Sequence, residues 1–350
     1  MTAIRLAADL RSVDLGATEP QAAFAVARRI EIRRNQKNEP YADLELCDCT
    51  ASFRAKVWAT AGEALEAARK LRAGDAVKVL FELDTFQGNV QFNVKRLRPI
   101  QDADRDAGYD PARLYGEAHE LVRELRCATL AIDIETVPTA DLRKVPPTIA
   151  QAVSRAAESR EYDEAKVMGL SPFFGQVVSL AAGDADQDPA TMPITVFLVP
   201  PPGMALPELP DFVRCVSEVE LLSAFWGLAA LADTVVTFNG QGFDIPYLVA
   251  RSVLLGVPAR VDLLARGNRQ HCDVLAALTQ GSRNLHPASL EIVCWALGIE
   301  SPKGEMDGAM VAPAWRQGEL AKIATYNAAD VRATAAIYQR LKDTLLCFRS

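Results

Sequence analysis

The chain has 350 residues, 49% of them apolar and 24% charged, which is enough for two or three domains with cores of their own. Its formal net charge of −7 argues against a protein that coats polyanions indiscriminately, although a cluster of metal-binding carboxylates would itself supply several of those charges. There is no long apolar run, no signal-type leader and no paired spacing among the seven cysteines, so a cytoplasmic location with reduced thiols and no membrane contact is expected.

Residues 1–22 read as a loose N-terminal segment. Residues 23–100 then read as a succession of strands: Phe24 to Arg34, Tyr41 to Cys49, Ser52 to Ala59, Ala76 to Phe86 and Val90 to Leu97, each alternating apolar and polar side chains. A helical stretch from Gly62 to Leu71 falls after the third, and Gln87-Gly88-Asn89 reads as a hairpin turn. Three strands, a helix and two strands is the order of an OB-fold barrel, which binds single strands on aromatics along a basic groove. Arg28, Arg29, Arg33, Arg34 and Lys37 are the candidate phosphate contacts, and Phe53, Trp58, Phe81, Phe86 and Phe92 the candidate stacking residues, with alternation sending some of them into the barrel. Cys47 and Cys49 lack a second pair of matching spacing and read as strand residues rather than zinc ligands. Residues 101–126 form a linker and one helix, which starts at Asp110-Pro111 and carries Leu114, Ala118, Leu121 and Leu125 on one stripe.

The remainder, 127–350, opens on Leu130-Ala-Ile-Asp133-Ile-Glu135-Thr136. In a strand Leu130, Ile132 and Ile134 face a core, and Asp133 and Glu135 are forced side by side on the other face. Two carboxylates so placed repel unless a cation lies between them, and oxygen ligands suit Mg²⁺ or Mn²⁺. Residues 138–170 are a charged, helix-rich insertion. Strands are expected at Val177 to Ala182, Ile194 to Val199 and Thr234 to Phe238, with a helix from Glu218 to Leu231 and a proline-rich loop over 200–210. Asn239-Gly-Gln-Gly-Phe243-Asp244-Ile-Pro246 turns the chain into a helix, where Asp244 has the simple alternative of being an N-cap, as has Asp273 after His271-Cys272. Tyr326 and Asp330 are four apart on one face of a long amphipathic helix from Glu319 to Leu345, an awkward pair for a core helix unless they face a site.

Taken together, Asp133-x-Glu135, Asp244 in its Asn-x-x-x-Phe-Asp context and Tyr326-x-x-x-Asp330 resemble, in order and type, the motifs of the DEDDy 3′-to-5′ exonucleases, which have a ribonuclease H-like α/β fold with a mixed central sheet flanked by helices. The nearest likeness is to predicted exonucleases similar to the proofreading domain of family B DNA polymerases, through Ser171-Pro-Phe-Phe-Gly-Gln-Val, Thr237-Phe-Asn-Gly-Gln-Gly-Phe-Asp-Ile-Pro, His271-Cys-Asp273 and Pro302-Lys-Gly-Glu-Met-Asp-Gly308. The strand region likewise resembles the OB domains attached to some bacterial exonucleases, in Tyr41-Ala-Asp-Leu-Glu-Leu-Cys-Asp, Ala55-Lys-Val-Trp58 and Phe86-Gln-Gly-Asn-Val-Gln91-Phe92.

The resemblance implies that Asp133, Glu135, Asp244 and Asp330 hold two divalent ions, Mg²⁺ or Mn²⁺, for two-metal phosphodiester hydrolysis. It also implies that Tyr326 orients the attacking water, and that Asn239 and Phe243 hold the terminal nucleotide. The expected activity is removal of 5′-mononucleotides from the 3′ end of single-stranded DNA, with the OB barrel holding the strand. An exoribonuclease and a non-catalytic single-strand-binding protein are the alternatives.

Overall fold

The computed structural model describes residues 4–5, 7, 10, 20–86, 89–265, 270–280, 288–301 and 306–348. The chain divides into two compact units, Met1–Arg126 and Cys127–Ser350.

The first unit contains β1 (Ile4–Arg5), β2 (Gln21–Arg34), β3 (Pro40–Cys47), β4 (Ser52–Val57), α1 (Gly62–Lys70), β5 (Ala76–Phe86) and β6 (Asn89–Pro99). Strands β2, β3, β4, β6 and β5 follow one another in space, and β5 returns to pair with β2, so the sheet closes into a five-stranded OB-fold barrel. Among the five barrel strands the pairs are antiparallel except β4 with β6. Register shifts within β2 and between β5 and β6 supply the sharp bends that closure of long strands needs. The alternating apolar residues fill the interior: Leu44, Leu46, Val57, Val79 and Phe81 are wholly buried.

Two expectations are corrected in this unit. The start of the chain is tied down at the points described, because β1 pairs in parallel with Ala22 and Ala23 and the Ala7 amide donates to the buried Asp48 carboxylate at 2.7 Å. The single helix expected over 110–126 is two short ones, α2 (Pro111–Tyr115) and α3 (His119–Val122). Asp110 caps α2 as expected, but Gly116 at φ +90° ends it, a conformation that glycine adopts without steric cost.

The second unit contains β7 (Thr129–Pro138), α4 (Pro147–Arg160), α5 (Glu164–Gly169), β8 (Gly175–Asp184), β9 (Ile194–Leu198), β10 (Val213–Cys215), α6 (Glu218–Ala229), β11 (Thr234–Thr237), α7 (Asp244–Leu255), β12 (His271–Asp273), α8 (Val274–Thr279), α9 (Leu290–Leu297), α10 (Val311–Gln317) and α11 (Leu320–Thr344). The sheet order is β10-β9-β8-β7-β11-β12. Strand β8 runs antiparallel to β7 and β9, while β11 and β12 run parallel to β7. This is a mixed sheet with helices against it, the architecture expected of a ribonuclease H-like exonuclease domain. The antiparallel pair β7 and β8 is joined by the insertion that carries α4 and α5, and the parallel neighbours β11 and β12 are joined through α7. Strand β10, three residues after the proline-rich loop, was not legible as a strand.

Alternation places β7 at the centre. Leu130, Ile132 and Ile134 are buried in the sheet's core while Asp133 and Glu135 are only half-buried. The long helix α11 packs against β7, β8 and β9 through Ile323, Ala324, Val331, Ala335 and Ile337. The insertion makes a small core of its own from Val153 and Ala157 on α4 and Val167 and Met168 on α5, with Phe174 packed against it. Among the described residues no helix is long and apolar enough to cross a membrane.

Candidate active site

Three elements converge on one group of carboxylates. Strand β7 brings Asp133 and Glu135 and helix α11 brings Asp330, and one carboxylate oxygen from each lies within 4.8 Å of those of the other two. The fourth, Asp244, is the first residue of α7 rather than its N-cap, which is Phe243. Its side chain turns toward β7, where Oδ1 accepts the Ile134 amide at 3.3 Å. Because Ile134 lies between Asp133 and Glu135, that bond fixes Asp244 beside both.

The electrostatics are those of a site built around missing positive charge. Burial is the first cause holding the Asp133 and Glu135 carboxyls well above their ordinary range, and the neighbouring carboxylates Asp244 and Asp330 push both further. Asp244 is pushed up to about 7 by burial, against the pull of its backbone hydrogen bonds. Four hard oxygen donors whose ionisation is mutually opposed are what a divalent cation of the Mg²⁺ or Mn²⁺ class stabilises. The donor set therefore fits such ions.

Tyr326 lies one helical turn before Asp330 and hydrogen-bonds to it. Burial, then the charges of Asp330, Glu135 and Asp133, hold its phenol far above the usual range, so the hydroxyl keeps its proton. The same side chain lines a cleft of about 580 Å³ together with Met306, Met310, Lys322, Thr325 and Ala329.

One residue of the site was missed in the sequence. Asn327, fully buried, donates from Nδ2 to Asp133 Oδ2 at 2.6 Å, and its Oδ1 accepts the hydroxyl of the equally buried Ser179 on β8 at 2.7 Å. The signal was there: an asparagine next to Tyr326, on the sheet-facing side of a core helix, has no structural reason to be polar. Asp273 has a second role of the same kind. It caps α8 through the Ala276 amide at 3.1 Å, and its two oxygens also accept the Asn239 and Gln241 amides at 3.0 Å each. It thus holds the turn that delivers Asp244. Asn239 is exposed at a left-handed φ of 60° in that turn, and Phe243 is half-buried with its ring 5.5 Å from that of Tyr247. His271 is buried and linked to Thr237 Oγ1 at 2.8 Å, and burial lowers its pKa, so it is structural. His286 and residues 302–305 of the Pro302–Gly308 motif lie outside the described residues.

In the barrel the candidates separate. Phe53, Phe81 and Phe92 are corrected to core: Phe53 and Phe92 are each 8% exposed and Phe81 is wholly buried, and the three rings form a cluster with centroids 5.1 to 5.8 Å apart, leaving no face for a base. The period-two alternation of a small barrel sends them inward. Trp58 is half-buried, stacked 5.1 Å from Tyr41 with Lys56 Nζ 5.3 Å from its ring, and its indole N–H is held by Asn93 Oδ1 at 2.8 Å. Tyr41 and Lys56 had not been singled out as partners. The Phe86 side chain lies outside the described residues. The basic cluster carries its own counter-charges: Arg28 pairs with Glu45 at 3.1 Å, Arg33 with Glu31 and with Asp43 at 3.6 Å, and Arg34 donates to the Asn38 carbonyl at 2.8 Å, while Lys37 is exposed.

Comparison with known proteins agrees with this division. Residues 211–345, which include Asp244, Tyr326 and Asp330 but not Asp133 or Glu135, match the family described as predicted 3′-5′ exonuclease related to the exonuclease domain of PolB. A DNA polymerase of Pyrococcus horikoshii is 31% identical over 121 residues, which is 29% of this chain and 9% of the polymerase, so the chain spans only a small part of that relative. Among solved structures, a replication protein A heterotrimer bound to single-stranded DNA is 24% identical over 25% of this chain and 63% of its own, with a TM-score of 0.20. A domain of replication protein A from Methanococcus maripaludis is 16% identical over 28% of this chain and 96% of its own, with a TM-score of 0.22. Those two likenesses are too slight to carry an argument. The barrel's identity rests on its strand order, and the second unit carries a segment related to polymerase-associated 3′-5′ exonucleases.

Proposed function

We propose that the protein is a metal-dependent 3′-to-5′ exonuclease of the DEDDy type that removes 5′-mononucleotides from single-stranded DNA. The observation that carries this reading is the convergence of Asp133, Glu135 and Asp330 within 4.8 Å, with Asp244 tied to the strand between the first two. Two divalent ions bound by these carboxylates would lower the pKa of the attacking water and offset charge on the departing 3′ oxygen.

The chain's own groups do the positioning. Tyr326, protonated at any physiological pH and hydrogen-bonded to Asp330, orients water through its hydroxyl oxygen rather than abstracting its proton. Asn327 keeps one oxygen of Asp133 aimed and its other free. The cleft beside Tyr326 is within the usual size range of small-molecule sites, about 300–1,000 Å³, and suits one terminal nucleotide. Asn239 and Phe243 sit in the turn leading to Asp244, where a hydrogen bond and a packing face meet a sugar and base. The OB barrel raises the local concentration of the strand through Trp58, Tyr41 and Lys56. DNA is favoured over RNA because the matched family is polymerase-related.

The test is a time course on 5′-labelled single-stranded DNA and RNA of one sequence, with Mg²⁺ or Mn²⁺, beside Asp133→Ala. A ladder shortening from the 3′ end of DNA that the variant does not produce is expected. Preference for RNA would make it an exoribonuclease with the same residues, and binding without cleavage of either would leave the barrel as the working part.

A further inference from the structure

Residues Ser171-Pro172-Phe173-Phe174 form a tight turn between α5 and β8, closed by the Phe174 amide on the Ser171 carbonyl at 3.1 Å, with proline at the second position as such turns favour. The two phenylalanines part company there. Phe174 packs against Val153, Ala157, Val167 and Met168, while Phe173, at the third position, is 70% exposed.

The turn is anchored far more firmly than a surface loop requires. Arg251 of α7 donates to the Pro172 carbonyl at 3.0 Å and is itself held by a nearly buried ion pair with Glu218 at 2.7 Å. Glu218 in turn accepts the Val177 amide at 2.9 Å. The Tyr247 hydroxyl reaches the Gly169 carbonyl at 3.2 Å, and the Phe174 carbonyl takes the amides of Thr139 and Ala140 at 2.9 Å each. A rigid frame thus presents one aromatic ring to solvent.

The frame sits at a telling place. Gly175 pairs with Pro138, three residues beyond Glu135 on the catalytic strand, and Tyr247 and Arg251 belong to the helix that begins at Asp244. At about 3.3 Å per strand residue, the end of the turn lies about 10 Å along the strand from Glu135. That is the span of about three stacked nucleotides at 3.4 Å each.

We propose that Phe173 is a stacking site for a base of single-stranded nucleic acid two to four nucleotides from the bond being cut. An aromatic face accepts any base, so the site is indifferent to sequence and selects for an unpaired strand. The inference rests on the exonuclease reading for its substrate, yet its test does not depend on hydrolysis.

Full-length protein without divalent metal is mixed with single-stranded DNA decamers carrying 5-iodouracil second, third, fourth or eighth from the 3′ end, irradiated, digested and sequenced by mass spectrometry. An adduct on Phe173 from one of the three near positions, and not from the eighth, is expected. Adducts confined to other segments would overturn the proposal. In parallel, with Mg²⁺, Phe173→Ala and Phe173→Leu should each raise KM for the decamer at least about fivefold, leave KM for a dinucleotide within twofold and keep the wild-type melting temperature, while Phe173→Trp restores the decamer KM. Leucine performing as well as phenylalanine would also overturn it. Wild-type protein that cleaves nothing would remove the hydrolytic reading alone, because the adduct still judges Phe173.

Discussion

Replacing Asn327 by leucine removes the neutral donor on Asp133 while nearly preserving volume. The native side chain is fully buried and makes two short bonds, 2.6 Å to Asp133 and 2.7 Å from Ser179. Leucine leaves the Ser179 hydroxyl buried without an acceptor, at a cost of about 1–3 kcal/mol, and strips a charge-assisted bond of similar worth from Asp133. A destabilisation of about 3 kcal/mol is therefore expected in urea unfolding, of which Ser179→Ala on the Asn327→Leu background should recover about 1 kcal/mol. The functional effect is separate. The Asn327 bond is the one contact that lowers the Asp133 pKa, so its loss raises that pKa further and shifts the pH at which the carboxylate can take a cation upward. Loss of a partner that orients a metal ligand usually costs about 10- to 100-fold in metal affinity. The assay is a Mn²⁺ titration by calorimetry at pH 7 and pH 8.5, with the half-saturating Mn²⁺ for cleavage measured on the same samples. Asn327→Leu binding Mn²⁺ as the wild type does at both pH values would refute the reasoning, whatever it did to stability.

Without metal, the raised pKa values of Asp133, Glu135 and Asp244 mean that the unfolded chain releases these protons at lower pH than the folded one. The contribution of these three groups to stability should then be fully present below the ordinary carboxylate range and be lost as pH rises through it toward about 7, where Asp244 ionises, and added Mn²⁺ should raise the melting temperature more at pH 8 than at pH 5.5; an equal rise at both would count against a site made of these groups. Gly175→Ala places a Cβ 2.5 Å from the Tyr247 hydroxyl and 2.8 Å from the Val137 carbonyl, so a loss of about 1–3 kcal/mol is expected in thermal or urea unfolding. Asp273→Ala frees the Asn239 and Gln241 amides as well as a helix cap, and should lower kcat at saturating Mn²⁺ while Asp273→Asn, which keeps one acceptor oxygen, retains part of it. Trp58→Ala should weaken binding of a decamer with little change in kcat on a dinucleotide, measured by anisotropy and by initial rate; a kcat loss on the dinucleotide would contradict the barrel's assignment to affinity.

The parts of the structure readable from the sequence are those where one rule acted alone. Strand β7 was legible because two carboxylates two apart in an apolar run can only share a face, and Tyr326 with Asp330 because four residues make one turn. The barrel was legible because its strands alternate so regularly. What was not legible needed two rules to compete. Phe53 and Phe92 fit both a base-stacking surface and a filled barrel, and only the closure of the barrel, which brings β4 beside β6 with Ala55 opposite Phe92, turns them inward. Asp244 suited an N-cap until the fold brought Ile134 within reach of its side chain, 110 residues distant in sequence. The arginines of β2 read as a phosphate track because Glu31, Asp43 and Glu45, which answer them, lie on the same strand or its neighbour in positions that sequence order hides.

The division of labour inside the second unit follows from the same physics. Side chains that meet a cation must be held close together, and close carboxylates repel, so each needs a support that does not neutralise it. A lysine or arginine would cancel the charge the cation needs. The supports found are neutral instead: the Asn327 amide on Asp133 and the Ile134 backbone on Asp244. Where full neutralisation does no harm, as behind the Phe173 turn, the chain uses an ordinary buried ion pair, Arg251 with Glu218. The contrast between the two kinds of support, a few residues apart on α7, separates a neutral support for Asp244 from a charge-cancelling one for the turn. It also explains why charge reversal at Glu218 should disturb the turn without touching the cation requirement of the four carboxylates.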